Sequence, residues 1–389
     1  MMEIERSFSV AEIRQVDLGM ALGDLSVTAG GAGQIGLRAR LRSDDESELV
    51  TVVADGVLVV KNRADNGWLV RNANRIDVAL TIPRDASVVV TAKTGLGDVN
   101  VEGVAGVREI LTGKGDVRAA GGSSALTIKT GKGDVAVSAW RGDLHVTTGK
   151  GDVVVSDLVG GLQMVTGAGD TTVERWQANG GAGHEIKTGS GDVTLRQGQA
   201  RSLEVNTGRG DCTLQQVALR SLQGKTGYGD FVIEGDPLGG QWEVRTGKGD
   251  LALALAAASA RVEATTRHGS VRSELPQVKV ARPGPVSQHG GRTIVVIGDE
   301  PRAEIRLETN KGDISVRAAG ALTTAVTLER QPAGIETETL YAVRVEQPVQ
   351  PLAVAEKESD KRSALTILES LARGELSVDE AETLLRSLE

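Results

Sequence analysis

The chain has 389 residues with fifty glycines, nine prolines and only eight aromatic side chains, which excludes a core built mainly on aromatic packing. Its formal charge of −8 arises from interleaved acidic and basic residues, and no basic stripe with stacking aromatics is present, so nucleic acid is excluded as a partner. A lone cysteine, Cys212, excludes an intramolecular disulfide and a multi-cysteine metal knot.

No stretch reaches the roughly eighteen uninterrupted apolar residues of a membrane span. Residues 1–23 lack a basic segment followed by an apolar run of signal-peptide length. The default expectation is a cytoplasmic protein, with surface association left open.

Residues 1–92 are predicted as β structure that caps and starts a solenoid. Val16, Leu18, Leu25 and Val27 alternate around Asp24, in a degenerate first copy of the repeat that follows. Runs at 49–53 and 57–61 flank Asp55-Gly56, a hairpin signal. Residues 76–82 lead through Pro83 into the array.

Residues 93–317 carry the main signal. T-G-x-G-D begins at Thr94, Thr112, Thr130, Thr148, Thr166, Thr188, Thr207, Thr226 and Thr246, with offsets of 18 to 22 residues. Worn copies stand at Thr266 (T-R-H-G-S) and Thr309 (T-N-K-G-D). Four and two positions before each Thr, and one and three after each Asp, 32 of 36 slots are apolar. The exceptions are Arg108, Thr171, His184 and Gly224. Only 6 of the 27 interleaved slots are apolar, so the period is two and each repeat is strand, sharp turn, strand and second corner. An apolar residue often stands six after the Asp, as at Val104, Trp140, Leu158, Trp176 and Val217.

One such repeat cannot fold alone, whereas stacked repeats share a continuous aliphatic column. The fold class is therefore all-β, a β-solenoid of the parallel β-helix kind with coils of about 18–22 residues. Ten or so coils at about 4.8 Å each would make a rod on the order of 45–50 Å long. The turn row comprises Asp98, Asp116, Asp134, Asp152, Asp170, Asp192, Asp211, Asp230 and Asp250, and reads as structural: glycine admits a tight corner and the carboxylate accepts turn amides. In five copies the residue between the glycines is basic (Lys114, Lys132, Lys150, Arg209, Lys248), which offsets repulsion along the row.

Pro276, Pro283 and Pro285 mark an irregular insertion near 275–292. One more coil follows, with Ile305, Leu307, Ile314 and Val316 inward. Residues 318–360 read as a linker with an edge strand at 341–345. Residues 361–389 form a predicted helical hairpin, stopped at Gly374 and restarted by the capping box 377–380. Its apolar face is carried by Leu368, Leu371, Leu384, Leu385 and Leu388, too small to stand alone, which points to a protein partner or self-association.

Several site motifs fail on spacing. The calcium β-roll needs G-G-x-G-x-D at a nine-residue period, which the repeat does not have. Gly113-Lys114-Gly115 is followed by Asp where a phosphate loop needs Ser or Thr after its Lys. Arg141-Gly142-Asp143 and Arg209-Gly210-Asp211 fall at solenoid corners. Cys212 and His184 occupy inward slots, and the four histidines lack metal-ligand spacing. No catalytic, cofactor or metal site is expected, and the leading reading is a non-catalytic binding or scaffolding protein. The alternative is a carbohydrate-active parallel β-helix, a lyase or hydrolase, which would need paired carboxylates in a groove.

The array of T-G-x-G-D turns, with L-x-V before and V-x-V after, resembles the bacterial adhesin-like domain of unknown function, over roughly residues 10–317. The tail, from Ile367-Leu368-Glu369 through Gly374-Glu375-Leu376-Ser377 to Leu384-Leu385, is similar to short SHOCT-like helical modules. The resemblance implies binding and a link to the bacterial cell envelope, where a related hairpin occurs on the same chain as the adhesin-like domain, usually at its other end.

Overall fold

The alternation of apolar and polar residues becomes two ladders of parallel strands joined at the G-x-G-D turns. The computed structural model describes residues 2–31, 33–63, 74–180, 183–256, 259–275, 291–298 and 300–319. The predicted linker and hairpin, including Leu368, Leu371, Leu384, Leu385 and Leu388, lie outside the described residues, as does most of the proline-marked insertion.

Strands before the turn stack in register, so that Thr112 pairs with Thr130, Thr130 with Thr148, and Thr148 with Thr166. Strands after it do the same, with Val117, Val135, Val153 and Thr171 in one column. Identical slots therefore lie above one another, and their side chains form one buried core running the length of the rod.

The four exceptional slots each have a local reason. Arg108 is exposed because the ladder shifts between Val107 and Glu109, which puts Val107 inward instead. Gly224 makes room for Phe231: a Cβ there would lie 2.6 Å from the ring. Thr171 is fully buried with its hydroxyl 3.5 Å from that of Thr166. His184 is buried against Trp176, edge to face with ring centroids 5.0 Å apart.

The second corner is made by left-handed residues five positions after the Asp: Ala139, Asp157, Arg175, Gln197 and Gln216, with φ between 49° and 55°. The side chains that follow, Trp140, Leu158, Trp176 and Val217, turn inward, and only Gln197 is followed by a glycine, Gly198. That column matches large against small, since a Cβ on Gly122 would lie 2.1 Å from the Trp140 ring. The indole N–H groups of Trp140, Trp176 and Trp242 donate to backbone carbonyls of Ser124, Gly160 and Leu219, so these buried rings are satisfied.

The ends differ from stacking in chain order. At one end, Gln241–Lys248 pairs with Ala303–Lys311, and that strand pairs in turn with Ala260–His268. The last described coil is thus wedged between two that precede it. Gly291–Ile297 then closes the outer strand in the antiparallel sense. At the other end, Gln15–Leu22 lies between Val57–Asn62 and Val89–Leu96. Leu49–Ala54 folds back on Val57–Asn62 through Asp55 and Gly56, both at positive φ, the hairpin expected there. Met2–Ser9 and Gln34–Leu41 cover the same end of the second ladder, again antiparallel.

Among the described residues the first ladder therefore holds thirteen parallel strands between two antiparallel ones. That corresponds to about 65 Å at the usual strand spacing, longer than ten coils would give.

Candidate binding surface

The conserved-looking letters of T-G-x-G-D all act between coils. Within one turn, the second glycine brings its backbone against the coil before it. Gly133 has φ 146°, and a Cβ there would lie 2.1 Å from the carbonyl oxygen of Gly115. No other residue fits. The threonine points inward, and in seven of the nine copies its hydroxyl donates to the same glycine carbonyl one coil back, as from Thr112 to Gly97 at 3.1 Å and from Thr246 to Gly229 at 3.0 Å; among the described residues Thr148 makes no such bond and Thr166 meets the Thr171 hydroxyl instead.

The carboxylates accept amides, but from the next coil rather than from their own turn. Asp98 Oδ1 accepts from Asp116 N at 2.8 Å, Asp116 from Asp134 at 2.9 Å, and Asp134 from Asp152 at 2.8 Å. The series continues through Asp170, Asp192, Asp211, Asp230 and Asp250 at 2.7–2.8 Å. At the inverted end, Asp313 N donates to Asp250 and Ser270 N donates to Asp313, both at 2.7 Å. The Ser270 amide holds the Asp313 carboxyl below the usual carboxylate range. The ladder follows spatial order, and its outermost turn carries Ser270, where a carboxylate would have no further coil to bind.

Beside this row runs a second one, from the residue between the glycines. Lys114, Lys132 and Lys150 are in register, and farther along so are Arg209, Tyr228, Lys248 and Lys311. The Lys248 ammonium sits 4.8 Å from the centre of the exposed Tyr228 ring, a cation–π contact. One edge of the rod thus carries a row of fixed aspartates beside a row of basic side chains that is interrupted at Leu96, Ala168, Ser190 and Tyr228.

The other candidate groups are engaged or neutral. Asp143 accepts from Gly161 N at 2.8 Å, and Asp211 belongs to the main ladder, so both Arg-Gly-Asp carboxylates are part of coil stacking. Cys212 is fully buried, and burial first, then Asp192 and Asp211, push its thiol up to about 12, so it stays protonated. His184 Nδ1 accepts from Leu162 N at 3.2 Å while Nε2 has no partner among the described residues, and burial lowers its pKa against the opposing pull of Asp143. Among the described residues no group of three or more His, Cys, Asp or Glu is arranged to hold a metal ion. No helix among them is long and apolar enough to cross a membrane.

Two grooves open on the corner side. The smaller, of about 340 Å³, contains Glu174, Arg175, Arg196, Gln197 and Glu234. Its arginines are already paired: Arg175 grips Asp157 through two bonds of 2.6 and 2.8 Å, and Arg196 reaches Glu174 at 3.3 Å. The larger, of about 700 Å³, is flanked by Arg201 and Arg220. Sequence reasoning missed it, because its residues come together across four coils at a corner where the repeat fixes no residue type.

Residues 141–317 match the family model described as Toastrack DUF4097. No curated protein matches the chain. Among solved structures, a putative cell adhesion protein from Clostridium sporogenes is 11% identical, covering 82% of this chain and 99% of its own, with a TM-score of 0.22. A putative adhesin from Bacteroides fragilis is 12% identical, covering 81% and 97%, with a TM-score of 0.27. A structure named as a putative lipid binding protein from Parabacteroides distasonis is 11% identical, covering 81% and 96%, also with a TM-score of 0.27.

Proposed function

We propose that the chain is a non-catalytic, adhesin-like rod that presents a fixed repetitive surface to a partner at the bacterial cell envelope. The carrying observation is how the aspartates are used. Each carboxylate of the row holds the next coil's amide, so the most abundant acidic groups serve stacking and stand in line along an edge. Glycoside cleavage instead needs two carboxylates facing each other across a sugar. The match of residues 141–317 to a Toastrack domain supports the same reading.

In this proposal the hairpin at 361–389 mediates association through Leu368, Leu371, Leu384, Leu385 and Leu388. Deleting 361–389 should change the light-scattering mass or the set of proteins captured by the tagged chain. Unchanged mass and capture would remove the hairpin from the account. Turnover of any polysaccharide in a screen of acidic and neutral substrates would overturn the non-catalytic reading. Fractionation of native cells into cytosol, membrane and surface pools tests the envelope link, and recovery in the cytosol alone would contradict it.

A further inference from the structure

The larger groove brings two arginines together in a lining of glycine, serine and glutamine. Ser202 pairs in register with Ser221, so Arg201 and Arg220 lie one coil apart at the same corner. The next coil brings Gly239 and Gly240 instead of long side chains. A Cβ on Gly240 would lie 1.8 Å from the Arg220 carbonyl oxygen, so the hollow depends on glycine there. Beyond it comes Arg302, whose Cβ would lie 3.7 Å from a Cβ on Gly239. Arg201, Arg220 and Arg302 are all exposed, and among the described residues none of them forms a salt bridge. The residues lining the groove include no carboxylate.

An acidic chain of net charge −8 that leaves two stacked guanidinium groups unpaired over a groove favours an anion there. Guanidinium forks match carboxylates in two-bonded geometry. Ser202, Ser221 and Gln241 add hydroxyl and amide groups that can exchange hydrogen bonds with sugar hydroxyls. Arg201 and Arg220, one coil of about 4.8 Å apart, can each hold a carboxylate of one extended acidic chain. The lining offers no large apolar side chain, and the exposed Leu238 on the adjoining turn is a single residue, too little to anchor the rod in a bilayer.

We propose that this groove binds an acidic glycan strand, with uronate carboxylates held by Arg201 and Arg220. The proposal rests on the binding role proposed above and names its ligand class. The probe is oligogalacturonate, titrated calorimetrically into the full chain, with a neutral cello-oligosaccharide and phosphatidylglycerol vesicles as comparisons. The wild type should bind oligogalacturonate, more weakly at higher salt, and bind neither comparison. R201Q/R220Q should weaken binding roughly tenfold or more, because each change removes charge-assisted hydrogen bonds. Both side chains are exposed, so the melting temperature should hold. The double variant R118Q/R141Q, at exposed arginines elsewhere on the rod, should bind like the wild type.

No binding of oligogalacturonate, equal losses in both double variants, or a preference for the vesicles would overturn the proposal. If partner capture persists while oligogalacturonate is not bound, the groove assignment alone falls and the wider binding role stands.

Discussion

Replacing Gly133 by alanine should break the stack locally and severely. The residue sits at φ 146°, and its added Cβ would lie 2.1 Å from the oxygen and 2.5 Å from the carbon of the Gly115 carbonyl. Both atoms are backbone, so no rotamer change relieves the overlap. An unfavourable φ alone costs an L-residue about 1–2 kcal/mol. Separating the two turns also weakens the bond from Asp134 N to Asp116 and that from Thr130 to the Gly115 carbonyl. At about 1 kcal/mol for each bond, the total reaches roughly 3–4 kcal/mol before any loss of core packing. That is a large share of the 5–15 kcal/mol typical of a whole domain.

Because coils contact only their neighbours, the defect should divide the rod rather than unfold it uniformly. Urea denaturation followed by circular dichroism should show an earlier or two-step transition. Gly31→Ala is the control, since a Cβ there meets nothing within 4 Å. A Gly133→Ala variant that unfolds like the wild type, with Gly31→Ala no better, would refute the argument that these turns are pressed together.

Two further outcomes follow from burial. Val137 is 1% exposed, so Val137→Asp should forfeit about 1.5–3 kcal/mol of burial and strand a charge in the column. Thr127, which faces outward in phase, should tolerate Asp within about 0.5 kcal/mol; equal melting temperatures for the two variants would sink the inward phase. His184 should make the rod sensitive to acid. Its folded pKa is lowered by burial from 6.5, so the unfolded chain takes up the proton first, and stability present above that value is lost as pH falls through it. Denaturation midpoints between about pH 8 and 5.5 should fall more steeply for the wild type than for His184→Leu, and parallel curves would contradict this.

The inward column was legible in the sequence because strand periodicity leaves a direct trace, as at Leu126, Ile128, Val135 and Val137. The exceptions at Arg108 and Gly224 were visible as exceptions, yet their causes were not. A register shift and a neighbouring Phe231 ring are facts about other coils. The partner of each turn carboxylate was hidden for a similar reason, since within one repeat its own turn amides are the nearest donors. The interleaved end left one faint clue: the copy at Thr266 ends in Ser270, while the later copy at Thr309 keeps Asp313. Only the outermost turn can do without a carboxylate, and that turn is the earlier in sequence. The arginine groove left no trace, because Arg201, Arg220 and Arg302 occupy positions that the repeat does not fix.

Pulsed spin-label distances give the most direct test of the stack. With one label at K114C, partners at K248C, K311C and H268C lie seven, eight and nine coils away along one row of turns. At about 4.8 Å per coil the separations should be roughly 34, 38 and 43 Å, with Cys212 buried and unlabelled. Distances that rise in that order, with position 268 farthest, are the expected result. Distances that scatter, or that place 268 nearer than 311, would show that the turns do not lie in this column.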